Sequence, residues 1–95
     1  MFAIAFDMKI AEVEAIHPKG FQSAYGEIAA TLRRFGFRRI QGSVYIVEGE
    51  NLLVVTQAME ALRDLDWFAP CVRDIRAFRV EMWSDFTAFF KDSPS

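Results

Sequence analysis

Three features of the sequence predict an α+β fold on a four-stranded antiparallel sheet: a period-two run at the start, two helical stripes, and strand-like segments between and after them. In FAIAFD, residues 2–7, Phe2, Ile4 and Phe6 alternate with Ala3, Ala5 and Asp7, as in a strand with two unlike faces. Residues 8–19 carry Lys9, two glutamates, His17 and Pro18 and end at Gly20, which reads as a connecting loop with at most a helical turn. From Phe21 the apolar positions Ala24, Tyr25, Ile28, Leu32 and Phe35 recur at three- and four-residue steps, and Gly36 follows where a left-handed cap belongs.

Residues 37–40 form a short second strand, and Gln41-Gly42 turns the chain into the β-branched and aromatic run SVYIVE. Gly49 breaks that hairpin. Asn51 can then cap a second helix whose inner stripe is Leu52, Val55, Met59 and Leu62. Residues 66–70 return the chain to the sheet, with Trp67 and Phe68 as a core plug. The fourth strand is VRDIRAFRVE, residues 72–81, and Ser84 is placed to cap a short final helix bearing Phe86, Phe89 and Phe90. The order strand, helix, strand, strand, helix, strand is the split βαβ, or ferredoxin-like, arrangement. Right-handed crossovers give sheet order 4-1-3-2 with both long helices on one face.

Ninety-five residues make one domain, taken as 1–95. Ten Phe, two Trp and two Tyr are more aromatic surface than so short a chain hides easily, so a homodimer is expected. A formal charge of −2 excludes bulk electrostatic attraction to nucleic acid and leaves any phosphate contact to local arginines. Cys71 is the single cysteine, so neither a disulfide framework nor a cysteine metal site can form, and its expected role is packing. Asp7 and Lys9 interrupt the apolar FAIAF run, well short of a membrane span, which leads us to expect a cytoplasmic protein without a membrane partner.

Alternation assigns the faces. Beneath two helices, Phe2, Ile4 and Phe6 go inward in the first strand, Val44 and Ile46 in the third, and Ile75 and Ala77 in the fourth, where the alternative register would bury Phe78 and Val80 instead. That leaves Asp7, Ser43, Tyr45, Asp74, Arg76 and Phe78 on the helix-free face. Strands three and four run antiparallel to strand one, so their beginnings flank its end, where Asp7, Ser43 and Asp74 are expected to converge. Strands lie about 4.8 Å apart, and two like charges about 4 Å apart repel by roughly 4 kcal/mol at an effective dielectric of 20. Such a patch holds a proton, a cation or an arginine, and each outcome suits phosphodiester chemistry. Asp7 is therefore a candidate general base or Mg²⁺ ligand, Mg²⁺ being the one cofactor considered. Ser43 would position a phosphate oxygen or the nucleophile, and Asp74 with Arg76 would tune the charge. Arg73, Arg76, Arg38, Arg39 and Tyr45 are the candidate substrate contacts.

Ordinary surface ion pairs are the plainer reading of Asp74 with Arg73 or Arg76. Arg33-Arg34 and Arg38-Arg39 bracket Gly36 and read either as solvated element ends or as a phosphate-binding rim. His17 reads as an exposed loop residue.

Three blocks carry a family resemblance: MFAIAFD, LRRFGFRRIQGSVY and WFAPCVRDIRAFRVEMWSDFT, in order along nearly the whole chain. They resemble the virulence-associated protein D (VapD) family of bacteria. The resemblance implies a ferredoxin-like homodimer with endoribonuclease activity, the toxin of a toxin–antitoxin pair, with RNA as substrate and an antitoxin protein as partner. It also implies kinship with the small nuclease-like subunit of CRISPR adaptation complexes, whose signature acid ends the first strand. Carried over by motif, the AFD aspartate is Asp7, the QGS serine is Ser43 and the RDIRAF aspartate is Asp74. Attack by the ribose 2′-hydroxyl would need no metal and leave a cyclic phosphate, and attack by metal-bound water would leave a 3′-hydroxyl and a 5′-phosphate, or the reverse. A non-catalytic dimeric module that binds protein or nucleic acid through the same face is the competing expectation, and cleavage of labelled RNA separates the two.

Overall fold

The computed structural model describes residues 1–92. Four strands, β1 (Phe2–Met8), β2 (Arg38–Gln41), β3 (Val44–Val47) and β4 (Val72–Arg79), form one antiparallel sheet in the order β2-β3-β1-β4, which read from the other edge is 4-1-3-2. The α+β arrangement is consistent with a ferredoxin-like fold. Among the described residues no helix is long and apolar enough to cross a membrane.

Helices α2 (Gly20–Arg33) and α3 (Leu52–Arg63) cover one face of the sheet. Ala24, Ile28 and Leu32 of α2 and Val55, Ala58 and Leu62 of α3 meet Ile4, Phe6 and Met8 of β1 in one core. Each group recurs at helical or strand spacing, which is what lets it face a single neighbour. Leu52, expected on the inner stripe of α3, is exposed instead. Asn51 caps α3 as expected, its Oδ1 accepting the Leu53 N–H at 3.0 Å. After α2 the chain reverses at Gly36, whose φ of +87° lies in the left-handed region that favours glycine.

Two short helices were not expected as elements. Helix α1 (Ile10–Ile16) replaces most of the predicted loop. It buries only Val13, so the sequence offers no stripe to reveal it. Helix α4 (Phe68–Cys71) places Phe68 and Cys71 in the core, with Trp67 beside them, and the Cys71 carbonyl accepts the Lys9 N–H at 2.8 Å. His17, expected in an exposed loop, is buried where α1 ends. Its Nε2 bonds the Glu27 carboxylate on α2, its Nδ1 accepts the Lys19 N–H at 3.1 Å, and its ring meets the Trp67 ring edge-on at 5.0 Å.

The face assignment of β1 and β4 is as expected, but that of β3 is reversed. Ile4 pairs with Tyr45 and Ala3 with Ile46. Tyr45 therefore joins the helix-side core, stacked on Phe6 at 6.1 Å, while Ile46 turns to the other side. The run VYIV is apolar at every position, so no polar alternation fixes its phase, and the larger ring takes the deeper side.

The face opposite the helices is not bare. Ala3 and Ile46 point to it, yet each is 1% exposed. After β4, at one edge of the sheet, the chain runs to β2 at the other, where Trp83 lies over the Arg38 guanidinium at 6.0 Å. Arg38 is the cross-strand partner of Ile46, so the crossing segment passes over the Ile46 side of the sheet. Asp85, not Ser84, then accepts the Thr87 N–H at 2.8 Å as α5 (Thr87–Lys91) begins. Met82, Phe86, Phe89 and Phe90 are exposed along this arm. The radius of gyration, 14.9 Å, exceeds the roughly 12.4 Å of a compact chain of this length, as a projecting arm requires.

Candidate active site

Asp7 and Asp74 are direct cross-strand partners, at the end of β1 and near the start of β4, on the helix-free face. With Ala5, Phe6, Arg76 and Phe78 they line a shallow hollow of about 220 Å³. This is the convergence of acids that strand direction predicts.

What it does with its charge is specific. The Arg73 guanidinium donates to Asp7 Oδ2 at 3.2 Å, and Arg76 Nε donates to Asp74 Oδ1 at 3.1 Å. Of the three partners that relieve repulsion between facing carboxylates, arginine is present here, one per acid. Arg73 reaches Asp7 because β4 carries one extra residue there: Asp7 pairs with Asp74, but Met8 pairs with Val72. In unbroken alternation Arg73 would share the helix side with Ile75. The bulge re-aims it, a use of bulges recurrent near active sites. Sequence alternation alone gave no sign of it.

Ser43 does not join the acids. It sits in the β2–β3 turn, its carbonyl accepting the Phe6 N–H at 3.1 Å, and lines a separate hollow of about 410 Å³ with Phe21, Gln22, Tyr25, Arg39 and Gly42. The cause is the reversed phase of β3, which carries Ser43 to the helix side with Phe6. Tyr45 is likewise not on the helix-free face. It is 4% exposed, and burial pushes its phenol up, opposed by the nearby Arg39 and Arg33 cations.

Arg38 stands at the β2 edge, paired loosely with Glu48 at 3.7 Å and stacked on Trp83. Arg39 lines two adjoining hollows, that of Ser43 and one of about 440 Å³ shared with Ala29, Arg33, Phe37, Arg38 and Tyr45. Among the described residues no carboxylate lies within 4.0 Å of Arg33, Arg34 or Arg39. The local arginines that a chain of net charge −2 needs for phosphate are therefore present and uncompensated.

No group of three or more His, Cys, Asp or Glu is gathered as a metal centre among the described residues. Two facing carboxylates open to solvent are nevertheless a donor set that Mg²⁺ accepts when substrate phosphates complete its shell.

No protein-family model matches the chain. It is 51% identical over 92 residues to a Haemophilus influenzae protein named Endoribonuclease VapD, covering 97% of this chain and all of that one. To the Endoribonuclease VapD of Dichelobacter nodosus it is 50% identical over 91 residues, 96% of this chain and 98% of that one. To the Helicobacter pylori protein of the same name it is 42% identical over 93 residues, 96% of this chain and 99% of that one.

Proposed function

This chain belongs to the VapD family of endoribonucleases, and from that membership we propose that it cleaves RNA phosphodiester bonds at the acid pair where β1 ends and β4 begins. The observation that supports this reading most is the direct apposition of Asp7 and Asp74 with an arginine on each.

The exposed Asp7 carboxylate accepts the proton of the attacking hydroxyl as general base. Arg73 and Arg76, resting on the acids in the free protein, turn to the phosphate when RNA enters and neutralise charge growing on phosphorus. Asp74 orients Arg76. Ser43 approaches the RNA from the helix side and positions the strand, while Arg38 and Arg39 bind phosphates beyond the scissile one. If Mg²⁺ takes part, Asp7 and Asp74 hold it, and it supplies Lewis-acid stabilisation of the same charge.

We further place the protein in the cytoplasm as a single domain over 1–95, acting as the toxin of a toxin–antitoxin pair and as a homodimer. The exposed aromatic arm after β4 supports self-association, since surface of that kind is seldom left in water. Light scattering should give a dimer mass. The nuclease reading is tested by incubating the protein with end-labelled single-stranded RNA, with and without EDTA. Wild type should cut it and Asp7→Asn should not, and a cyclic phosphate on the product assigns attack to the ribose 2′-hydroxyl. Intact RNA in every arm overturns the reading and leaves a non-catalytic binding module.

A further inference from the structure

We propose that the groove between α2 and the edge strand β2 is a track for single-stranded RNA, with bases stacking on Phe21 at its aromatic end and phosphates held by Arg39 and Arg33 at its cationic end. The proposal rests on the endoribonuclease reading and adds where the substrate lies beyond the scissile bond.

Phe21, Tyr25, Ala29 and Arg33 are spaced by four along α2 and so stand on one flank of that helix. The first two line the hollow beside Ser43, the last two the adjoining hollow beside Phe37, and Arg39 of β2 lies in both linings. The two hollows are thus one groove, running about 18 Å by the helical rise over that span.

Its chemistry changes along its length. At the hairpin end Phe21 is 39% exposed, and its ring is propped at a right angle on Tyr25 at 5.7 Å, which in turn stacks on Phe6. A ring held from behind with its outer surface in water is a platform on which any base can stack. At the other end Arg33 and Arg39 have no acid partner among the described residues, in contrast to Arg73, Arg76 and Arg79, each of which has one. Positive charge left uncompensated beside an apolar ring, in a chain that is acidic overall, suits a polyanion with π-faces better than an apolar peptide.

Its position suits the same ligand. Ser43 lines the hairpin end, and the bond from the Phe6 N–H to the Ser43 carbonyl ties that turn to the residue preceding Asp7. A strand leaving the groove past Ser43 turns the end of the sheet and meets the acid pair on the other side.

The test measures anisotropy of a fluorescein-labelled 2′-O-methyl oligouridine in EDTA, which neither proposed route cleaves. Phe21→Ala and Arg39→Ala should each weaken binding about tenfold. Arg39→Ala should also lower the slope of log affinity against log salt by about 0.7. Phe21→Leu, which keeps the apolar contact without the π-face, should behave as Phe21→Ala, and Arg79→Ala should bind as wild type. In cleavage, Phe21→Ala should raise KM for a long RNA while leaving kcat/KM for a dinucleotide unchanged. Wild-type affinity in both Phe21→Ala and Arg39→Ala overturns the track even if the protein cuts RNA. Equal affinity for a duplex overturns it as well, and so does a Phe21→Ala variant whose only change is its sedimenting mass, which gives the groove to a second copy. Loss of oligonucleotide binding in a protein that cuts nothing keeps the track and refutes the nuclease reading alone.

Discussion

Asp7 and Asp74 face each other across the β1–β4 ladder, and each is engaged by a different arginine of β4: Asp7 by Arg73 and Asp74 by Arg76. The two acids are alike in register and unlike in what holds them. Arg76 sits in the ladder opposite Ala5, whereas Arg73 is the residue displaced by the bulge. Asp7→Asn should lower kcat for RNA cleavage by about 10²–10⁴-fold, the usual worth of a general base. Asp74→Asn should cost less, and the double variant should fall short of the product of the two, because the acids share one site. Both pairs are well exposed, so melting temperatures should hardly move.

Tyr45 separates a core role from a substrate contact. Its ring stacks on Phe6 beneath α2. Tyr45→Phe should leave cleavage of RNA unchanged, and Tyr45→Ala should cost about 3–5 kcal/mol in urea unfolding, as for other buried aromatic truncations. A large loss of activity in a fully folded Tyr45→Phe protein would return the phenol to the site.

His17 joins α1 to α2 through both ring nitrogens, so its neutral form carries the proton on Nε2, toward Glu27. His17→Ala should destabilise the fold by about 0.5–3 kcal/mol, the range for truncating a buried, hydrogen-bonded side chain whose partner, Glu27, stays in water. At a temperature where the variant remains folded, its kcat should equal that of wild type. Thermal melts and single-temperature kinetics check the two halves separately.

Cys71 gives the fold a pH dependence. Burial first, and then the Glu12 carboxylate, push its thiol up, with Lys9 opposing. The folded protein thus keeps a proton that the unfolded chain loses. The contribution of this thiol to stability is level below its ordinary value of 9.0 and falls as pH rises above that towards the folded value, by at most about 1.4 kcal/mol per pH unit. Cys71→Ala should flatten that decline in denaturation midpoints. The same burial should keep Cys71 from reacting with a thiol reagent until the protein unfolds.

Trp83 tests the crossing segment. Trp83→Ala removes the ring lying over Arg38 and should loosen the cover above Ala3 and Ile46. Amide exchange in β1 and β3 should quicken, while that of the α2–α3 layer should not.

Where polarity alternated, the sequence was readable. In β1 small residues and Asp7 mark one face, whereas β4 is less plainly marked because Phe78 shares a face with Asp74 and Arg76; the meeting of Asp7 with Asp74 followed from alternation and from strand direction. In β3 nothing polar marks either side, so Ser43 and Tyr45 were assigned to the wrong one. The bulge at Arg73 escaped because a single inserted residue leaves composition and period almost untouched. Helix α1 escaped because one buried valine makes no stripe. His17 shows the cost of judging a residue by its neighbours in the chain: its partners, Glu27 and Trp67, come from elsewhere in the fold.

The cover over Ala3 and Ile46 also sets a sequence of events at birth. The first strand leaves the ribosome at the outset, and the stretch that shields its helix-free side emerges only after β4. Until the residues around Trp83 have left the ribosome, that side of a nascent copy has no cover of its own. Premature termination within that last stretch would make that exposure permanent and turn a folding intermediate into a seed for aggregation.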